Sequence, residues 1–158
     1  MANRFIDELG IHLRALHHLQ QDLLARLSDT DLQYALPGRN STLGKMLRDM
    51  GDWQRQYIES FETFRHDFNL HLAPADAETS VATLQVWFAE LAEDFMAALE
   101  ALSNDDLERP IDRGSWSPRA SLQFHLYREM LFIYYGHLNV YVRAMDKTIS
   151  HQWEVWIG

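Results

Sequence analysis

Apolar side chains recur at intervals of three and four along the first part of the chain: Phe5, Leu9, Leu13, Leu16, Leu19, Leu23 and Leu27. That spacing gathers them on one face of a helix and predicts an amphipathic segment over 3–27. The breaker-rich stretch SDTDLQYALPGRNS interrupts the pattern, with Pro37 and Gly38 at its centre. A second helix is predicted over 41–65, with Asn40 or Ser41 as its cap. Its apolar face is Leu43, Met46, Leu47, Met50, Trp53, Tyr57, Phe61 and Phe64. The period is lost from His66 to Ala77, around Pro74. It returns over 79–102 with Val81, Leu84, Trp87 or Phe88, Leu91, Phe95 and Leu99. After SNDDLERPIDRGSW a fourth helix is predicted over 118–146, opened by Ser117 as cap and Pro118 in the first turn. No sustained alternating run flanked by hairpin turns occurs. The pattern is all-α, a four-helix bundle in one domain spanning 1–158. The tail, 147–158, carries Trp153 and Trp156, which predicts that it packs on the bundle or on a second subunit.

Composition narrows the chemistry. The chain has no cysteine, which removes disulfides, thiolate metal ligands and a cysteine nucleophile, and fits a reducing, cytoplasmic setting. The segment MANRFIDELG lacks the apolar core of a signal peptide, and the longest apolar run, MLFIYYG, is far short of a bilayer span. Between Arg65 and Arg109 there is no Lys or Arg among ten acidic residues, and the formal net charge is −9. Such a surface repels phosphate backbones, so neither nucleic acid nor membrane is an expected partner. No Rossmann fingerprint, phosphate loop, HExxH or GxSxG element occurs, so phosphate and hydride transfer have no local support.

Polar chemistry is concentrated in HLYREMLFIYYGHLNVY. At helical spacing His125, Glu129, Phe132, Gly136, Asn139 and Arg143 form one stripe, while Leu122, Leu126, Met130, Ile133, Leu138, Tyr141 and Met145 cover most of the remainder. A Glu one turn from a His can orient it, or both can bind one cation. The alternative is an ion-pair or hydrogen-bond network of His125, Arg128 and Glu129 at the rim of the core. Gly136 weakens the helix and predicts a close approach by a neighbouring helix or a ligand. On the second helix Asp49 lies near the apolar seam and Asp52 further out. Asp49, His125 and Glu129 together would offer two oxygens and a nitrogen, a set that could accept zinc, manganese, iron or nickel. His125 and Glu129 are then candidate base and orienter, and Tyr134 or Tyr135 a candidate donor to a developing oxyanion. His17 and His18 are adjacent and cannot share one face; His17 is expected to be exposed or at an edge and His18 at a boundary.

Three segments, LSDTDLQYALPGRNSTLGKMLRDMGDW, LEALSNDDLERPI and YREMLFIYYGHLNVYVRAM, resemble the DinB-like superfamily of bacterial four-helix proteins, which includes the YfiT-like metal-dependent hydrolases. The resemblance runs from about residue 5 to residue 147. It implies an up-down-down-up bundle and a homodimer. Many members hold a divalent metal with three histidines, one on the second helix and two spaced four apart on the fourth. Some of them transfer low-molecular-weight thiols to electrophiles and others are hydrolase-like. Laid on this chain, those positions fall on Asp49, Met130 and Tyr134, with Gly136 the clear match nearby. The three-histidine set is thus absent. The resemblance leaves two expectations: a small-molecule pocket between helices without that metal site, or a metal-dependent hydrolase or thiol transferase that keeps Asp49 as a ligand.

Overall fold

The computed structural model describes residues 3–158, so the first two residues of the expected 1–158 unit lie outside it. Four long helices form: α1 (Arg4–Leu24), α2 (Leu43–Thr63), α3 (Val81–Ala101) and α4 (Ala120–Ala144), followed by a short α5 (His151–Ile157). Among the described residues there is no sheet, only isolated bridges between loops. The helix ends fall slightly inside the expected ones because the caps differ. Thr42, not Asn40 or Ser41, accepts the Lys45 amide at the start of α2. Arg119 precedes α4 and offers it no side-chain cap, so Ser117 and Pro118 lie ahead of the helix. Asn3 caps α1 through the Phe5 and Ile6 amides, and its own amide donates to the Leu99 and Leu102 carbonyls. One side chain therefore starts α1 and fixes it to the end of α3.

Side-chain pairs give the topology. Phe5 stacks on Phe124, and the Tyr135 hydroxyl donates to the Leu16 carbonyl, so α1 and α4 run parallel. Gly51 meets Trp87 and Arg55 pairs with Asp94, so α2 and α3 also run parallel. Ser60 meets Gln123 at one end while Ser41 meets Tyr141 at the other, so α2 and α4 are antiparallel. The bundle is up-down-down-up. Parallel neighbours cannot be joined by a tight turn, and the 64–80 connection is the crossover that returns the chain to the start of α3.

The core is aromatic at its centre: Phe95 stacks on Tyr127 at 3.8 Å, with Phe61 edge-on to Phe95. The buried face of α4 is Phe124, Tyr127, Leu131, Tyr135, Leu138 and Val142. Leu122 and Ile133 are exposed instead. Three buried tyrosines can stand on α4 because each hydroxyl has a partner, Tyr127 at His17 Nε2, Tyr135 at the Leu16 carbonyl and Tyr141 at the Ser41 carbonyl. His17 is accordingly buried, contrary to its expected edge position, and His18 is exposed. Burial, with Arg14 nearby, holds the His17 imidazole down to about 4, so it is neutral.

The tail packs within the chain. Trp153 is buried against Tyr135, and its indole N–H donates to Asn139 Oδ1. Asn139 and Arg143 both donate to the Gly158 carbonyl, closing α5 onto α4. No helix among the described residues is long and apolar enough to cross a membrane.

Candidate functional site

Between α2 and α4 lies a cavity of about 560 Å³. Met46, Asp49, Trp53 and Tyr57 recur at three- and four-residue steps and form its α2 wall; Leu126, Glu129, Met130, Ile133, Tyr134 and His137 form the α4 wall. Because the helices are antiparallel, Ser41 closes one end and Arg113, from the α3–α4 connection, closes the other. The lining is mostly apolar, with a few polar groups converging from different elements, as in small-molecule sites.

Asp49 and Glu129 share this cavity, and His125 does not line it. His125 packs edge-on to Phe5 and Phe124, one helix face away. It makes no ion pair with Glu129, and the expected His125–Arg128–Glu129 network does not form among the described residues; the Arg128 Nε is buried without a partner. Tyr134 lines the cavity, whereas Tyr135 faces the core. Gly136 has no neighbour within 4 Å of the place a Cβ would take, so no helix approaches there.

The positions where the resemblance would place a metal do not fit one. Asp49 is held on both sides, Oδ2 by Lys45 at 2.7 Å and Oδ1 by Arg48 at 2.6 Å. Partial burial opposes ionisation, yet these two cations keep its carboxyl below the ordinary carboxylate range. Burial, with the Asp49 and Asp52 charges adding, pushes the Tyr134 phenol up to about 12, so it is a reluctant anionic ligand. Met130 offers only a thioether. Among the described residues no group of three His, Cys, Asp or Glu side chains is placed to hold a metal ion.

Asp52, expected further out than Asp49, is the more buried of the two. The 64–80 crossover folds over it: its Oδ1 accepts the Leu72 and Ala73 amides at 3.0 and 3.1 Å, and Oδ2 faces His71 Nδ1 at 3.2 Å. Helix periodicity contains no signal for a loop descending on a carboxylate. Equally invisible is a polar relay behind the cavity. Arg113 Nη1 donates to Gln123 Oε1 at 2.9 Å, while Gln123 Nε2 reaches Ser60 Oγ and His66 Nδ1. His66, on a loop, is buried among Trp53, Tyr57 and Phe68. Burial, aided by Arg113 and opposed by Asp67, lowers it to about 4. Nδ1 then accepts from Gln123, and the proton sits on Nε2.

The family model for the DinB superfamily matches residues 12–139. A crystal structure of a DinB-like protein, YjoA from Bacillus subtilis, superposes with a TM-score of 0.75 at 17% identity, covering 92% of this chain and 97% of that one. That likeness is one of fold. No curated protein matches the chain. The chain belongs to the DinB superfamily.

Proposed function

We propose that this DinB-superfamily chain binds a small, largely apolar molecule in the α2–α4 cavity, without a metal in the site. The observation that carries this reading is the cavity itself: about 560 Å³, walled by Trp53, Tyr57, Leu126, Met130 and Ile133, with polar groups at its edges. The alternative, metal-assisted hydrolysis or thiol transfer with Asp49, His125 and Glu129 as ligands, is not the reading taken, because Asp49 is already occupied by Lys45 and Arg48 and His125 faces elsewhere. A homodimer accompanies the proposal. Leu122, Ile133 and Val140 leave an apolar stripe exposed along α4, which a second copy would cover. We also place the protein in the cytoplasm, on the absence of cysteine.

The test is a screen of small aromatic and aliphatic compounds against the protein, read by Trp fluorescence and by NMR shifts of α2 and α4. Met130→Trp, which fills the cavity, abolishes binding in this reading while leaving the helical circular dichroism intact. Compounds that bind equally well to the filled variant would show that the cavity is not the site. Elemental analysis of untagged protein after nickel, zinc and manganese supplementation, with Asp49→Ala as control, decides the metal alternative. Light scattering decides the dimer.

A further inference from the structure

We infer that the ligand of this cavity carries a carboxylate on an apolar body, and that Arg113 is its anchor. The inference rests on the cavity being a binding site, as proposed above.

Arg113 takes part in none of the ion pairs among the described residues. Its side chain is half-buried, and its Nε is sealed from solvent with no hydrogen-bond partner. The Nε N–H has lost water without gaining an acceptor, which is unfavourable unless something else supplies one. The guanidinium is also held in place rather than free to swing to solvent. Gln123 Oε1 fixes Nη1, and the opposite end of that amide is fixed by Ser60 and His66, so the amide orientation is determined. Tyr57, Phe68 and Trp116 lie 5.8, 5.1 and 5.8 Å from the guanidinium and further restrict its movement.

The other charges at the cavity do not compete for this role. Asp49 is already ion-paired with Lys45 and Arg48. Glu129 forms no ion pair with Arg113 and is exposed; its charge still reaches Tyr57, so a bound carboxylate would lie at the Arg113 end, away from it. The charge left uncompensated at the inner end is that of Arg113, and the remainder of the wall is apolar. A planar carboxylate is the anion whose geometry matches a guanidinium fork. The hydrocarbon or aromatic body would then lie along Trp53 and Met130 towards Ile133.

The test uses three probes with one body and different heads: 4-phenylbutyrate, 4-phenylbutanol and 4-phenylbutylamine, titrated into the native protein by calorimetry. The expected order is carboxylate tightest by roughly ten-fold over the alcohol, with the amine weakest. In Arg113→Gln the carboxylate loses about that ten-fold while the alcohol changes little. An alcohol that binds as tightly as the carboxylate, an amine that binds tightest, or an Arg113→Gln variant with undiminished carboxylate affinity would each overturn the assignment while leaving the cavity as a binding site. Binding of none of the three into the millimolar range would overturn both. The comparison of heads on native protein does not depend on any variant folding.

Discussion

Gly51 of α2 lies flat against the indole of Trp87 of α3: a Cβ built on the glycine would stand 2.3 Å from Trp87 Cζ3. Neither partner has room to yield, since Trp87 is itself buried and stacked on Phe88. Gly51→Ala is therefore expected to destabilise the bundle by about 1–3 kcal/mol despite alanine's better helix propensity. Urea unfolding measures the loss. Trp87→Leu in the same chain opens the space, and the double variant should lose less than the two single variants added together. Strict additivity would show that the two residues do not touch in solution.

Asp52 accepts two backbone amides of the crossover from a buried position. Hydrogen bonds to a charged group contribute about 1.5–3 kcal/mol each when buried. Asp52→Ala should cost about 2–4 kcal/mol of stability and, more specifically, speed hydrogen exchange at Leu72 and Ala73. Asp49→Ala, which removes partly exposed pairs, should cost less than about 1 kcal/mol. The reverse ranking would mean that the loop is not held by Asp52.

Two buried neutral histidines make stability depend on pH. His17 and His66 sit at about 4 in the fold against 6.5 for the free side chain. As pH falls below 6.5 the unfolded chain takes up protons that the folded chain refuses until about 4, so stability is fully present above this window and is lost on acidification through it. Each histidine contributes a slope of up to about 1.4 kcal/mol per pH unit. The urea midpoint should decline steadily between about pH 6.5 and 4.5. His66→Gln should remove about half of that slope. A flat midpoint across this range would show that both histidines are accessible to protons in the folded state.

Trp153 anchors α5 through its burial and its bond to Asn139. Trp153→Ala is expected to cost about 3–5 kcal/mol and to release the last helix, with loss of its circular dichroism contribution. Unchanged stability would show that Trp153 does not pack on the bundle in solution.

The helices were legible in the sequence because burial on one face forces the three-four spacing, and the apolar residues assigned to α1 and α3 are those that pack inward. Where polar and aromatic residues share a helix the same logic fails. On α4 the expected polar stripe through His125 and Glu129 flanks the cavity and the Phe5 contact, while the buried face is set by hydroxyls that find partners on α1. Asp49 and Asp52 exchange their expected depths because a loop distant from α2's own pattern covers one of them. Arg113 and His66 lie on connections, where no period operates, and their burial follows only from two loops meeting at one end of the bundle.

Those loops are joined by backbone hydrogen bonds: the His66 amide donates to the Asp112 carbonyl at 2.8 Å, and the Asp112 amide donates to Phe64 at 3.0 Å. One loop precedes α3 and the other follows it, so this clasp cannot close until α3 has been laid against α2 and the chain has come back. Loop-closure entropy therefore predicts that it forms late in folding and opens early, which hydrogen exchange at His66 and Asp112 would read. Arg113 is the next residue after the clasp. A molecule held by Arg113 would therefore act as a latch on the last step of assembly, slowing the opening of this end while leaving the rest of the bundle to exchange at its own rate.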